Sequence, residues 1–232
     1  MICPVCKNEV DGFIITGHVI PRFLFKKIKS GGRYSSLTKE KIKHGQQRDL
    51  KGKLWCSECE LLFKKDDDAA KYFYDQSQPL ETYHGEISNN TVRKYKKQDI
   101  YNLMQFIVSV AIRFHIYEKS HGNNFIEKYY DYFLNTWKSE SVQHNLIIGG
   151  YRISSEFPAI IPPRINSFNN SSLIEMTLYN HSFFIKLKKD GFSNDETLAK
   201  YFSDGLILEV NYEETYEFKS FLEIIKTKKF ID

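Results

Sequence analysis

Cys3-Pro4-Val5-Cys6 and Cys56-Ser57-Glu58-Cys59 decide how this chain is read, and they hold all four of its cysteines. Two residues between cysteines let both thiolates face one ion while N–H groups of the tight turn stabilise them. Two such knuckles supply four sulfurs in a tetrahedron, the donor set of a structural Zn²⁺ site. Pro4 stiffens the first turn, and Lys7 brings positive charge to a site that stays anionic even with Zn²⁺. Disulfides and redox thiols are the competing readings. Disulfides belong to oxidising compartments, and the N-terminus has neither the basic n-region nor the apolar h-region of a secretory signal. A single CxxC is compatible with redox chemistry; two pairs with no other cysteine favour zinc. Zn²⁺ is therefore expected on Cys3, Cys6, Cys56 and Cys59. The pairs lie 50 positions apart, Cys6 to Cys56, so a substantial insert separates the knuckles.

That insert is where the charge sits. Pro21 to Trp55 carries eight Lys and three Arg against Glu40 and Asp49, a local charge of +9. The whole chain is only +4, so the remainder carries −5. A generally Lys-rich composition does not produce that asymmetry, and a basic surface beside the knuckles points to a phosphate-bearing partner. Arg22, Lys26, Lys27, Arg33, Lys43 and Arg48 are the candidate nucleic-acid-binding residues. At 232 residues, 41% hydrophobic and 27% charged, the chain has a globular composition rather than a disordered one. No apolar run reaches the roughly 18 residues of a membrane span, so a cytoplasmic protein with no membrane partner is expected.

Around the knuckles the pattern alternates between strand and helix. Asp11 to Ile20 reads as a strand interrupted by Gly17 and ended by Pro21. Arg22 to Lys29 reads as a short basic helix, Lys39 to Asp49 as a loop, and Leu50 to Trp55 as a second strand. A helix should begin at the second CxxC and run to about Asp75, with Leu61, Leu62, Phe63, Ala69, Ala70, Tyr72 and Phe73 as its apolar face. Knuckle, hairpin and helix make a treble-clef arrangement. Ser77 to Asn90, with Pro79, Gly85 and Asn89-Asn90, looks like a linker. Helices are expected over Asp99 to Glu118 and Phe125 to Trp137, then strands at Leu146–Ile148, Ala159–Ile161, Leu173–Leu178, Phe183–Leu187 and Leu206–Val210, and a closing helix from Phe218 to Lys229. The expected class is α+β: a zinc-bound ββα module over residues 1–76, then an accessory domain over 91–232, helical first and then an antiparallel sheet. That second part would dock a protein partner, a second copy or substrate.

Gly17-His18-Val19-Ile20-Pro21, lying between the two CxxC pairs, resembles the HNH, or ββα-metal, endonucleases. The match is closer to bacterial HNH-like proteins that carry a Ser-His-Ile-Ile-Pro-like motif and a later Gln-Asp-x-x-Lys-x-x-Leu-Leu-Cys-x-x-Cys-Glu-like motif. Here the second motif stands as Gln47-Arg48-Asp49-Leu50-Lys51-Gly52-Lys53-Leu54-Trp55-Cys56-Ser57-Glu58-Cys59-Glu60, and the resemblance covers about the first 75 residues. It implies a metal-dependent nuclease acting on phosphodiester bonds, DNA ahead of RNA, in a bacterial or phage setting such as anti-phage defence. It makes His18 the general base, since a neutral imidazole takes a proton near neutral pH. It places Gln47, with Gln46 beside it, as the orienter of that base. Glu60 and, seven residues on, Asp67 share a helix face and would hold Mg²⁺ or Mn²⁺ through carboxylate oxygens. Two departures stand out. Gly17 occupies a position where many HNH enzymes place a metal ligand, and Glu60 stands where His or Asn is usual.

Each residue has a plainer reading. His18 could be a buried, hydrogen-bonded histidine, Glu60 a first-turn acid favoured by the helix dipole, and Asp66-Asp67-Asp68 a solvated run. The function that competes with the nuclease is a zinc module that binds nucleic acid or protein without cutting.

Overall fold

The computed structural model describes residues 1–13, 16–30, 35–37, 42–44, 50–87, 90–154, 159–168, 171–187 and 194–211. Strand β1 is only Gly17–His18, far shorter than the Asp11–Ile20 run the apolar pattern predicts. Helix α1 (Arg22–Ser30) follows at once, because Pro21 closes the strand and opens the helix. Two short strands, β2 (Ser35–Leu37) and β3 (Ile42–His44), pair with each other inside the basic insert, the second within the predicted loop. Strand β4 (Lys51–Gly52) returns to pair antiparallel with β1. Helix α2 (Ser57–Asp75) then starts inside the second CxxC and ends where its apolar spacing stops.

Residues 77–90 are not the predicted linker. Strand β5 (Glu81–Ile87) lies there, antiparallel to β6 (Asn90–Lys94). It is an edge strand with exposed Glu81, Thr82 and His84, so it never displays the apolar alternation by which a half-buried strand is recognised. The long helix α3 (Lys97–Ser120) follows, then a 3-10 turn at Glu127–Tyr129, α4 (Tyr130–Lys138) and α5 (Val142–Asn145). Strands β7 (Ile148–Ser154), β8 (Ala159–Phe168), β9 (Ser171–Tyr179) and β10 (His181–Lys186) come next. Helix α6 (Asn194–Ser203), which the sequence reading did not anticipate, leads into β11 (Leu206–Asn211). The predicted helix over Phe218–Lys229 lies outside the described residues.

The architecture is mixed α+β with a mostly antiparallel sheet. Seven strands run in the order β5-β6-β11-β7-β10-β9-β8. Neighbours are antiparallel except β11 and β7, which are parallel because α6 carries the chain across between β10 and β11. Helix α3 packs on α2, α4, α5 and α6, with Leu103, Phe106, Ile107, Val110 and Ala111 fully buried. A single apolar cluster extends from Cys3 and Trp55, through Phe63, to Phe183 and Ile207 of the sheet. The cysteine-knuckle region and the sheet half therefore share one interior. No helix among the described residues is long and apolar enough to cross a membrane.

Candidate functional site

The first knuckle is a tight turn. The Lys7 N–H donates to the Cys3 carbonyl and the Cys3 N–H to the Asn8 carbonyl, both at 2.9 Å. Lys7 adopts φ 63, the left-handed conformation that turns the chain back after the second cysteine. Helix α4 braces this loop from outside: the Tyr130 hydroxyl donates to the Pro4 carbonyl at 3.0 Å and Lys138 Nζ to the Val5 carbonyl at 2.6 Å. Lys7 itself lies over the Tyr130 ring, with Asp131 3.7 Å away. The second knuckle occupies the start of α2, with Cys56 as its N-cap, where the helix dipole favours negative charge.

All four sulfurs lie within 4.8 Å of one another. Cys3 and Cys59 are 3.8 Å apart, as are Cys6 and Cys56. Zinc–sulfur bonds of about 2.3 Å in a tetrahedron give sulfur–sulfur edges of about 3.8 Å. Burial pushes the Cys3 thiol up, but backbone N–H groups of Cys6, Cys56 and Val5 outweigh it and bring the group down to about 7. Burial pushes Cys59 up instead. The four cysteines form a potential metal site, compatible in geometry and donor type with structural zinc.

His18 lies on β1 opposite Lys51 of β4. The Val19 N–H donates to the Leu50 carbonyl at 2.9 Å, and Val19 and Ile20 are buried, so the strand is anchored just past the histidine. His18 itself is half-buried. Its predecessor Gly17 has a packing cause. A Cβ there would stand 2.8 Å from Trp55 Cζ2, so the indole occupies the space a side chain would need.

The same indole engages Glu60. Trp55 Nε1 donates to Glu60 Oε2 at 2.6 Å. Trp55 meets the edge of Phe63, which stacks on Trp137. Trp137 Nε1 in turn donates to Asp66 Oδ2 at 2.6 Å. Asp66 is only 6% exposed, and burial pushes its carboxyl up to about 6. The acidic run is therefore not a solvated one: of its three members only Asp68 is exposed.

Asp67 faces Arg113 of α3. Arg113 Nη2 is 2.9 Å from Asp67 Oδ1 and Nη1 is 3.3 Å from Oδ2. Nη1 also donates to the His18 carbonyl at 3.3 Å. Burial pushes the Asp67 carboxyl up, the Arg113 charge opposes it, and His18 is near enough to add a smaller pull in the same direction as Arg113. Through Arg113 the structure joins His18 and Asp67. Glu60 adjoins them by way of Trp55, which packs on Gly17.

Among the described residues the four cysteines are the one set of three or more His, Cys, Asp or Glu side chains that converges on a metal position. His18, Glu60 and Asp67 form no such set. The carboxylates already accept hydrogen bonds from Trp55 and Arg113, and these residues do not fit a preassembled Mg²⁺ or Mn²⁺ site. Gln47, Arg33 and Arg48 lie outside the described residues, and the side chain of Lys43, on β3, is not described either. Arg22 and Lys26 are exposed on α1. Lys27 instead pairs with Asp75 at 2.5 Å and donates to the Tyr74 carbonyl.

Trp55 and Arg113 were not singled out from the sequence. Arg113 left a readable trace, a lone cation inside the apolar run Phe106 to Phe114, where a buried charge demands a partner. Nothing in the sequence says which of many acids that partner is. Protein-family models, curated proteins and solved structures yield no match to this chain.

Proposed function

We propose that this protein is an endonuclease of the HNH type, hydrolysing phosphodiester bonds in nucleic acid, DNA ahead of RNA. The observation that carries the reading is the placement of His18. It sits half-exposed on the first strand of an antiparallel pair, β1 with β4, that leads into α2, and the four cysteines tie the two ends together. That order of knuckle, strand pair and helix supports a zinc-bound treble clef. In the proposed reaction His18 takes a proton from the attacking water, the water oxygen bonds to phosphorus, and the bond to the leaving sugar oxygen breaks, that oxygen keeping the electron pair and taking a proton from solvent. A divalent cation in such enzymes neutralises phosphate charge; Glu60 and Asp67, the carboxylates expected to hold one, are engaged by Trp55 and Arg113. Exposed Arg22 and Lys26, on the helix directly after His18, supply sequence-independent phosphate contacts.

The test is nicking of supercoiled plasmid with Mg²⁺ or Mn²⁺ by the wild type and His18→Ala. Cutting by the wild type and at least about 100-fold less by the variant is expected, within the range of general-base catalysis. Equal cutting by both removes His18 from the mechanism.

One observation favours a second reading, a zinc module that binds nucleic acid or protein without cutting. Trp55 and Arg113 occupy the very carboxylates that a cation would need. Retained DNA binding with no cutting under either metal would select it.

A further inference from the structure

We infer that Arg113, with Asp67 as its counter-charge, is a positioning residue for His18, a guanidinium from the second half of the chain that fixes the β1 backbone at the proposed base. The inference rests on the nuclease reading for its catalytic meaning, but its geometry stands alone. A guanidinium has five N–H donors, and each of Arg113's finds an acceptor. Nε donates to the Ser109 carbonyl at 3.3 Å. Nη1 divides between the His18 carbonyl and Asp67 Oδ2, both at 3.3 Å. Nη2 takes Asp67 Oδ1 at 2.9 Å and Ser109 Oγ at 3.1 Å. Arg113 is 1% exposed, and the rings of Phe63 and Phe106 lie near its guanidinium carbon at 5.2 and 5.9 Å.

A buried ion pair serving stability alone would need only Asp67. This one spends a donor on a strand two residues long, and on the carbonyl of His18 itself. β1 has little pairing of its own to hold the histidine still, since its ladder is confined to Gly17 opposite Gly52 and His18 opposite Lys51. The α3 guanidinium supplies a third anchor from the side facing α2. Asp67 is thereby reassigned from cation ligand to the carboxylate that holds the guanidinium in register. A lysine cannot replace the fork, because a single ammonium does not span acceptors on three elements.

The experiment compares Arg113→Lys and Asp67→Asn with Leu103→Ala, a buried core change on the same helix. Plasmid nicking gives kcat, KM and the pH profile. The His18 imidazole signal in a proton–carbon NMR spectrum, assigned by its loss in His18→Ala, gives a readout that needs no activity. Arg113→Lys is expected to lower kcat about 10- to 100-fold with KM little changed and to move the His18 signal. Asp67→Asn loosens the guanidinium that holds the β1 backbone, so it too should lower kcat and move the His18 signal. Leu103→Ala should lower Tm and leave the nicking pH profile and the His18 signal in place. If Arg113→Lys and Asp67→Asn lower Tm but leave the His18 signal where it was, the positioning role is overturned. If the wild type cuts nothing, the nuclease reading falls. The NMR comparison still decides whether Arg113 positions His18.

Discussion

The cysteine-knuckle region and the sheet half share one interior but differ in how far each depends on single contacts. In the sheet half, strands of five to ten residues contribute Ile174, Met176, Leu178, Phe183 and Ile185 to the apolar cluster they share with α3, and many small contacts share the load. In the knuckle region β1 and β4 are two residues each. Beyond the apolar side chains of Val19, Ile20, Leu24 and Trp55, order there rests on a few directional contacts: four sulfurs, an indole on Glu60, another on Asp66, and the Arg113 fork. A backbone held this way can present a half-exposed histidine on a short strand, which a well-packed sheet interior cannot. The cost is that each contact matters singly.

The largest expected effect breaks the comparison at its root. Cys56→Ser, or removal of metal by a chelator, should release the knuckle region, with a loss on the order of 10 kcal/mol where metal binding is coupled to folding. Metal analysis should find about one zinc per chain in the wild type and a large loss in the variant. Amide exchange should become fast in β1, α1 and β4 while β7, β9 and β10 keep protection. Equal loss in the sheet would show that the two regions do not differ in this way.

Asp66 gives a smaller effect of opposite sign. Its carboxyl is raised by burial to about 6, above its unfolded value, so the folded chain binds that proton more tightly than the unfolded one. Stability from this group is full at low pH and falls as pH rises through about 4 to 6. Asp66→Asn, which keeps an acceptor for Trp137, should therefore raise stability at pH 8 by about 2 to 3 kcal/mol and change little at pH 4. Urea midpoints at the two pH values measure it; an unchanged gap between them would mean that Asp66 is charged and content in the fold.

The smallest effect sharpens the comparison. Gly17→Ala drives a Cβ to 2.8 Å from the Trp55 ring and should cost about 1 to 3 kcal/mol, as overpacking does. Pairing it with Trp55→Phe, which vacates part of the indole, should recover some of that loss in a double-mutant cycle.

Helix α2 was legible to within a residue or two at either end because cysteine spacing marks its start and apolar spacing its length. Helix α3 and strands β9, β10 and β11 were legible for the same reason: their residues face a core, and burial writes a period into the sequence. The strand expected at Leu146–Ile148 meets β7 only at Ile148, and the one at Ala159–Ile161 is only the start of β8. Strand β5 was not, since an exposed edge writes none. Helix α6 has only Leu198, Ala199, Tyr201 and Phe202 as apolar markers, all crowded after its first turn, too few to separate from a loop. In the site, the cysteines declared themselves by spacing. The Arg113–Asp67 fork did not, because ion pairing across 46 positions is a property of the fold and not of any window of sequence. Gly17 stood out in the sequence only as a departure. Its cause, Trp55, lies 38 positions on and becomes visible only when the strands pair.

The braces on the first knuckle carry a consequence for biosynthesis. Cys3 and Cys6 leave the ribosome early, yet their metal partners come at Cys56 and Cys59, and the groups that clamp the Pro4 and Val5 carbonyls are Tyr130 and Lys138. At about 5 to 20 residues per second, the knuckle waits several seconds for its second pair and still longer for α4. During that interval two nascent thiols are open to oxidation or to whatever metal is at hand, so if the four-cysteine site holds zinc as proposed, the supply of zinc at the moment of synthesis matters as much as its affinity afterwards.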